Sequence, residues 1–162
     1  MLDYILVLVG LVGLIFASLS DIKTREVPDW LNYALIISGL SLRGIYSLSL
    51  WDLSYFLYGL IGFGVFFLLG VILYYTKQWG GGDAKLLMGL GALFGGYPVA
   101  LLGYFNPVLN FNFLVILFLN LVIVGSLYGM AWSFVLVFKN FKEFFKRFKK
   151  VEKEFRGILY LD

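Results

Sequence analysis

Five apolar runs fill most of this chain, at residues 2–20, 30–46, 53–75, 84–102 and 113–138. A helix needs about 20 apolar residues to cross the hydrocarbon of a bilayer, and these runs meet or approach that length. The second is the shortest, and Ser38, Ser41 and Arg43 weaken its far half. Lipid offers no hydrogen bonds to a free sheet edge, and barrel-like alternation is absent, so the runs are expected to be helices. The fold class that follows is all-α, a polytopic transmembrane helix bundle of about five spans. Charged residues are 14% of the chain, against about a quarter in an ordinary soluble domain. The first run has Asp3 where a signal peptide carries basic residues and ends without a small-x-small cleavage site, so it reads as an uncleaved helix.

Basic residues set the orientation. With the N-terminus outside, twelve of the thirteen lysines and arginines face the cytoplasm: Lys23 and Arg25, Lys77 and Lys85, and eight from Lys139 to Arg156. Arg43 alone falls on the other side, so the positive-inside rule selects this topology. Asp21, directly after the first run, and Asp83, directly before the fourth, then both reach the cytoplasmic face. Ionisable groups at such edges are costly and are usually placed for function.

The chain divides into a membrane bundle at 1–138 and a basic tail at 139–162. In the tail, Phe138, Phe141, Phe145, Phe148 and Phe155 fall on or near one helical face, with Lys142, Lys146, Lys149, Lys150 and Lys153 around the other. That pattern predicts a helix lying in the interface and drawn to anionic lipid, with docking to a partner protein as the sharper alternative. Because the positive charge belongs to this tail, nucleic acid is not an expected partner. Residues 157–162 carry no clear assignment. Residues 104–112, with Pro107 and three asparagines, read as a turn. Small residues at Gly59, Gly62, Gly64, Gly91, Gly95, Gly125 and Gly129 mark places where helices are expected to approach closely.

Cysteine and histidine are both absent. That removes disulfides, Cys or His zinc sites, His-Glu-x-x-His proteases, Ser–His pairs and thiol nucleophiles. No cofactor and no metal are expected. A Ser–Lys pair is disfavoured because no lysine interrupts an apolar run. For hydrolysis at a membrane, carboxylates are the clearest equipment left.

Two short motifs carry them. The first loop reads Asp21-Ile22-Lys23-Thr24-Arg25-Glu26-Val27-Pro28-Asp29-Trp30, and Pro28 suits the first turn of the second helix. Lys23, Arg25, Glu26 and Asp29 taken singly are ordinary helix-flanking charges. The second motif is Gly80-Gly81-Gly82-Asp83-Ala84-Lys85-Leu86. Consecutive glycines open backbone conformations closed to other residues and let another segment lie close. Asp83 near a helix N-terminus could serve as a cap, but a cap alone does not require three glycines. Phosphate binding is disfavoured by the carboxylate and by the lack of a Walker lysine-serine.

Gly80-x-Gly82-Asp83 followed by Ala84-Lys85-Leu86 resembles the signature of the GxGD intramembrane aspartyl proteases. The first-loop pattern of Asp21, Arg25 and Val27-Pro28-Asp29 resembles the other active-site region of the type IV prepilin peptidases and their archaeal preflagellin peptidase relatives. The two motifs cover about 20 residues, and the apolar layout to Phe138 agrees. The resemblance implies a membrane-embedded aspartic endopeptidase that removes a short basic leader from pilin- or flagellin-like precursors. By position, Asp21 and Asp83 would be the catalytic pair, with Gly80 and Gly82 shaping the approach to Asp83. The cysteine-bearing N-terminal domain of many bacterial members is missing, so methyltransferase activity is not expected. Members commonly have six membrane helices, against five read here.

Two carboxylates a few ångströms apart cannot both ionise easily and would share one proton, the arrangement for activating water. Two other classes stay open from sequence. An ion- or proton-coupled transporter also uses intramembrane carboxylates, and a non-catalytic scaffold would use only the tail. Glu26 or Asp29 could meet a basic leader, although loop solvation is the simpler account.

Overall fold

The computed structural model describes residues 1–96 and 112–159, and every element in them is a helix. In chain order these are α1 (Leu2–Thr24), α2 (Asp29–Leu50), α3 (Ser54–Tyr75), α4 (Gly81–Phe94), α5 (Phe113–Lys139) and α6 (Phe141–Leu159). Residues Met1–Leu117 form one compact unit and Phe118–Asp162 a second.

In the first unit each outer helix buries a single stripe. On α1 it is Leu2, Leu6, Gly10, Gly13 and Ala17; on α3, Gly59, Gly62, Phe66 and Gly70. On α2 it runs at every fourth position through Leu31, Leu35, Gly39, Arg43 and Ser47. Steps of three and four residues keep a stripe on one helical face. The opposite faces expose large apolar side chains such as Leu8 (62%), Ile15 (58%) and Leu68 (62%). Water would not tolerate that much contiguous apolar surface, but lipid does. Four helices, α1, α2, α3 and α5, are long and apolar enough to cross a membrane. The protein is a multi-pass membrane protein.

Helix α4 is the centre. Ala84, Leu87, Gly89, Leu90, Gly91, Ala92 and Leu93 are all buried, so α4 is covered on nearly every side by α1, α2 and α3. Lipid is as apolar as leucine, so helices associate here through close packing rather than through escape from water. The α3–α4 seam shows how. Gly62 lies against the carbonyl of Gly91 and against Gly95, and a Cβ on Gly70 would stand 2.9 Å from the carbonyl oxygen of Ala84. Across α2–α4, a Cβ on Gly39 would stand 3.0 Å from the Leu93 nitrogen.

Several expectations are corrected. Helix α2 extends to Leu50, past the expected end at 46, because Arg43 faces inward and finds partners there. Gly59, Gly62, Gly91 and Gly95 do sit where backbones meet, but a Cβ on Gly64 would meet nothing within 4 Å among the described residues of the first unit. Of the expected fourth span, only the part within α4 is described. Residues 97–102 and most of the turn expected at 104–112 lie outside the described residues.

In the second unit α5 continues to Lys139, and α6 follows after Asn140. Helix α6 is strongly amphipathic, with Phe141 paired to Phe145 and Phe144 to Phe148 at ring-centroid distances of 5.1 and 6.1 Å. Residues through Leu159 are helical, extending the tail helix into the stretch left unassigned by sequence.

Candidate active site

Asp21 occupies the last turn of α1, and its backbone carbonyl accepts the N–H of Arg25 at 2.8 Å. Arg25 closes the helix in the left-handed region, at φ 58°. A non-glycine residue costs about 1 kcal/mol or more there and persists only where neighbours over-determine it. Those neighbours are two hydroxyls. Ser20 Oγ donates to the carbonyl of Glu26 at 3.1 Å, and the single Thr24 hydroxyl proton is shared between that carbonyl at 3.1 Å and the backbone carbonyl of Ser20 at 2.9 Å. The chain after Asp21 is thereby folded back over the end of its own helix.

The folded-back loop delivers Val27 to the glycine motif. A Cβ on Gly82 would meet Val27 Cβ at 3.2 Å and Val27 N at 3.3 Å. Below this contact, Ala17, Val27 and Leu31 form a buried cluster joined by Leu86. Ala17 precedes Asp21 by four residues and Leu86 follows Asp83 by three, so each aspartate shares a helical face with a member of that cluster. Both therefore lie at one end of the bundle. Asp29, opening α2, receives Lys85 Nζ at 2.6 Å across the same rim. With side chains 38% and 59% exposed, that pair is screened by solvent and serves as registration more than glue.

Asp83 is not a cap. Gly80 holds the N-cap position of α4 and makes no side-chain bond, so Asp83 is the third helical residue. Both Asp21 and Asp83 are exposed. Among the described residues, no hydrogen bond or ion pair engages either carboxylate.

Of the two reasons the sequence offered for glycine here, unusual backbone conformation and close approach, the second applies. No described glycine has a positive φ, so backbone conformation is not the reason. Close approach is. A Cβ on Gly80 would stand 3.3 Å from Asp83 Oδ2, and one on Gly82 would press on Val27, whereas one on Gly81 would meet the Tyr74 ring at an ordinary 3.5 Å. The geometry therefore asks for glycine at the third position, tolerates a side chain at the second, and at the first opposes one only with the far end of the Asp83 side chain.

Residues 8–130 match the type IV leader peptidase family. The chain belongs to that family. A preflagellin peptidase of Methanocaldococcus jannaschii is 32% identical over 133 residues, 82% of this chain and 56% of the relative. A preflagellin peptidase of Methanococcus maripaludis is 31% identical over 140 residues, 86% of this chain and 59% of the relative. The prepilin peptidase EppA of Methanothermobacter thermautotrophicus is 26% identical over 165 residues, 99% of this chain and 43% of the relative. The chain thus spans about half the length of these leader peptidase relatives. No solved structure matches it at a significant level.

Sequence reasoning missed three parts of the rim. Ser20 and Thr24 were unremarkable hydroxyls until their shared acceptor, Glu26, was in view. Asn32, one turn into α2, is fully buried, and neither its Oδ1 nor its Nδ2 has a hydrogen-bond partner among the described residues. A lone amide in an apolar run was the available signal. Among the described residues no group of three or more acidic side chains gathers to hold a metal ion.

Proposed function

We propose that this member of the leader peptidase family is an aspartic endopeptidase, with Asp21 and Asp83 as its catalytic pair. Its substrates are pilin- or flagellin-like precursors, cut at the cytoplasmic face, as the names of its relatives and the placement of its basic residues suggest. The observation that carries the reading is the contact of Val27 with Gly82, which draws the two aspartate-bearing motifs onto one rim while leaving both carboxylates unengaged.

On substrate binding the two carboxyl groups come to share one proton. The ionised member takes a proton from water, and the resulting hydroxide attacks the scissile carbonyl carbon. The protonated member gives its proton to the carbonyl oxygen. Collapse of the tetrahedral intermediate then returns a proton to the departing amine. The bundle at 1–138 would carry this chemistry. The tail at 139–162 would hold anionic lipid with its lysine face.

The charge layout disfavours the transporter alternative. All six acidic residues before residue 118 (Asp3, Asp21, Glu26, Asp29, Asp52 and Asp83) stand at helix ends or in loops. A proton or cation path needs groups spaced through the membrane.

The test is incubation of membranes with a leader-bearing precursor. Asp21→Asn and Asp83→Asn should each lower cleavage on the order of a hundred- to ten-thousandfold while the protein still inserts. Wild-type cleavage by either variant would end this assignment.

A further inference from the structure

The short turn between α2 and α3 holds a side chain where glycine would be expected. Trp51 closes α2 in the left-handed region, at φ 54° and ψ 30°. A bulky residue keeps that conformation only where its neighbours impose it. Here they do. Asp52 N–H donates to the carbonyl of Ser47 at 3.1 Å, and Ser47 Oγ donates to that of Asp52 at 2.6 Å. Asp52 Oδ1 then accepts both the N–H of Ser54 at 2.9 Å and its hydroxyl at 2.6 Å.

Packing does not account for the strain. Trp51 is 95% exposed, and its indole meets no ring or polar partner among the described residues. Leu48, Leu50 and Leu53 around it are exposed as well. The turn therefore satisfies its polar groups among themselves and shows apolar side chains outward. Water gives no reason for that arrangement, whereas the edge of a bilayer does.

The place of the turn in the chain names what covers it. Helices α2 and α3 are each long and apolar enough to cross a membrane, so the turn joining them stands at a membrane boundary. Tryptophan suits that boundary because its ring is apolar while its N–H seeks a polar partner. The other end of α2 carries Trp30 in its first turn, 66% exposed. A helix of 22 residues is about 33 Å long, against roughly 30 Å for the hydrocarbon layer. Helix α2 thus has an exposed tryptophan at each end of a length that matches the bilayer.

We propose that Trp51 and Trp30 are a pair of interfacial anchors, each seated in the lipid head-group layer of one leaflet. The strained turn holds the Trp51 ring out toward lipid. Asp29, beside Trp30, joins Lys85 at the aspartate rim, so the two anchors set the depth of that rim in the membrane. The anchors stand whether or not Asp21 and Asp83 are catalytic.

The experiment uses the full chain reconstituted in phosphatidylcholine vesicles. Two versions carry Trp79→Phe and Trp132→Phe, with either Trp30→Phe or Trp51→Phe added, and circular dichroism checks that each folds. Phosphatidylcholine brominated high on the acyl chain puts the quencher near the head groups, and bromine near the chain end puts it deep. Each retained tryptophan should be quenched about twofold or more better by the shallow bromine. Should a version misfold, the difference between wild type and Trp51→Phe reports the same ring in a chain with one change. Trp51→Gly, which removes the ring and relieves the backbone, should melt in detergent no earlier than wild type. Water-like emission from Trp51 with no quenching by either lipid would overturn the proposal, as would stronger quenching of either tryptophan by the deep bromine. A markedly earlier melt of Trp51→Gly would overturn it too, by showing that the ring packs on protein.

Discussion

The two ends of the first unit are built on opposite principles. At the Arg43 end, polar groups are largely engaged: the guanidinium reaches two carbonyls, Ser47 Oγ donates to the carbonyl of Asp52, and Asp52 Oδ1 accepts both the N–H and the hydroxyl of Ser54. The larger apolar cluster, Leu2, Leu6, Leu35 and Leu93 with Tyr46, Tyr55 and Phe94 against it, lies toward the same end. At the aspartate end the cluster is smaller and the ion pair is exposed, and among the described residues two carboxylates are unengaged and a buried amide lacks partners. Side-chain hydrogen bonding is denser at one end, where Arg43 Nε is the buried polar atom left over, and sparser at the other. Proteins often divide labour in this way, since functional sites carry groups that a purely structural region would have satisfied.

Substitutions can break that division. The largest effect is expected from Asp21→Asn and Asp83→Asn, which should remove cleavage yet leave the melting temperature in detergent unchanged. A marked loss of stability in either would mean that the rim is structural after all. Arg43→Met should do the reverse. It strands the carbonyls of Leu93 and Tyr55, costing about 2 kcal/mol or more, read as a lowered melting temperature. Unaltered melting would show that the guanidinium is not a tie.

Smaller effects sharpen the picture within the rim. Gly82→Ala puts a methyl against Val27 and should slow cleavage about tenfold by shifting Asp83, whereas Gly81→Ala should stay within about twofold. Equal effects at the two positions would refute the close-approach account. The smallest effect concerns Asp52, whose carboxyl is held below the usual carboxylate range by the Ser54 hydroxyl and N–H. A lowered carboxyl adds stability that is complete above the ordinary carboxylate pKa, about 3.9, and is lost as pH falls through the lower folded value. Ser54→Ala should therefore melt slightly earlier than wild type near neutrality and converge with it in acid. A gap that persists in acid would place the effect elsewhere.

How much of this was legible in the sequence follows from the range of the interactions involved. Apolar runs reveal spans because lipid contact is a property of each residue by itself, and four long apolar helices accord with the reading. Arg43 was misjudged as a weakness in α2 because its partners, Tyr55 and Leu93, lie 12 and 50 residues away. The glycine motif was recognisable and so was close approach as a reason for it, but not the residue that approaches: Gly82 answers Val27, in another loop. Gly64 looked like a contact point because spacing alone cannot tell a seam from an open face of the first unit. Gly70 went unnoticed although it sits against Ala84. Family membership was legible from about 20 residues, since both motifs are contiguous in sequence.

The meeting of Val27 with Gly82 has an evolutionary corollary. Neither motif is a portable cassette, because the fit of each is written into the other. A chimera that takes the glycine segment from one relative and the first loop from another would inherit mismatched halves whenever the loop residue differs in bulk. Function should return when both halves come from the same parent.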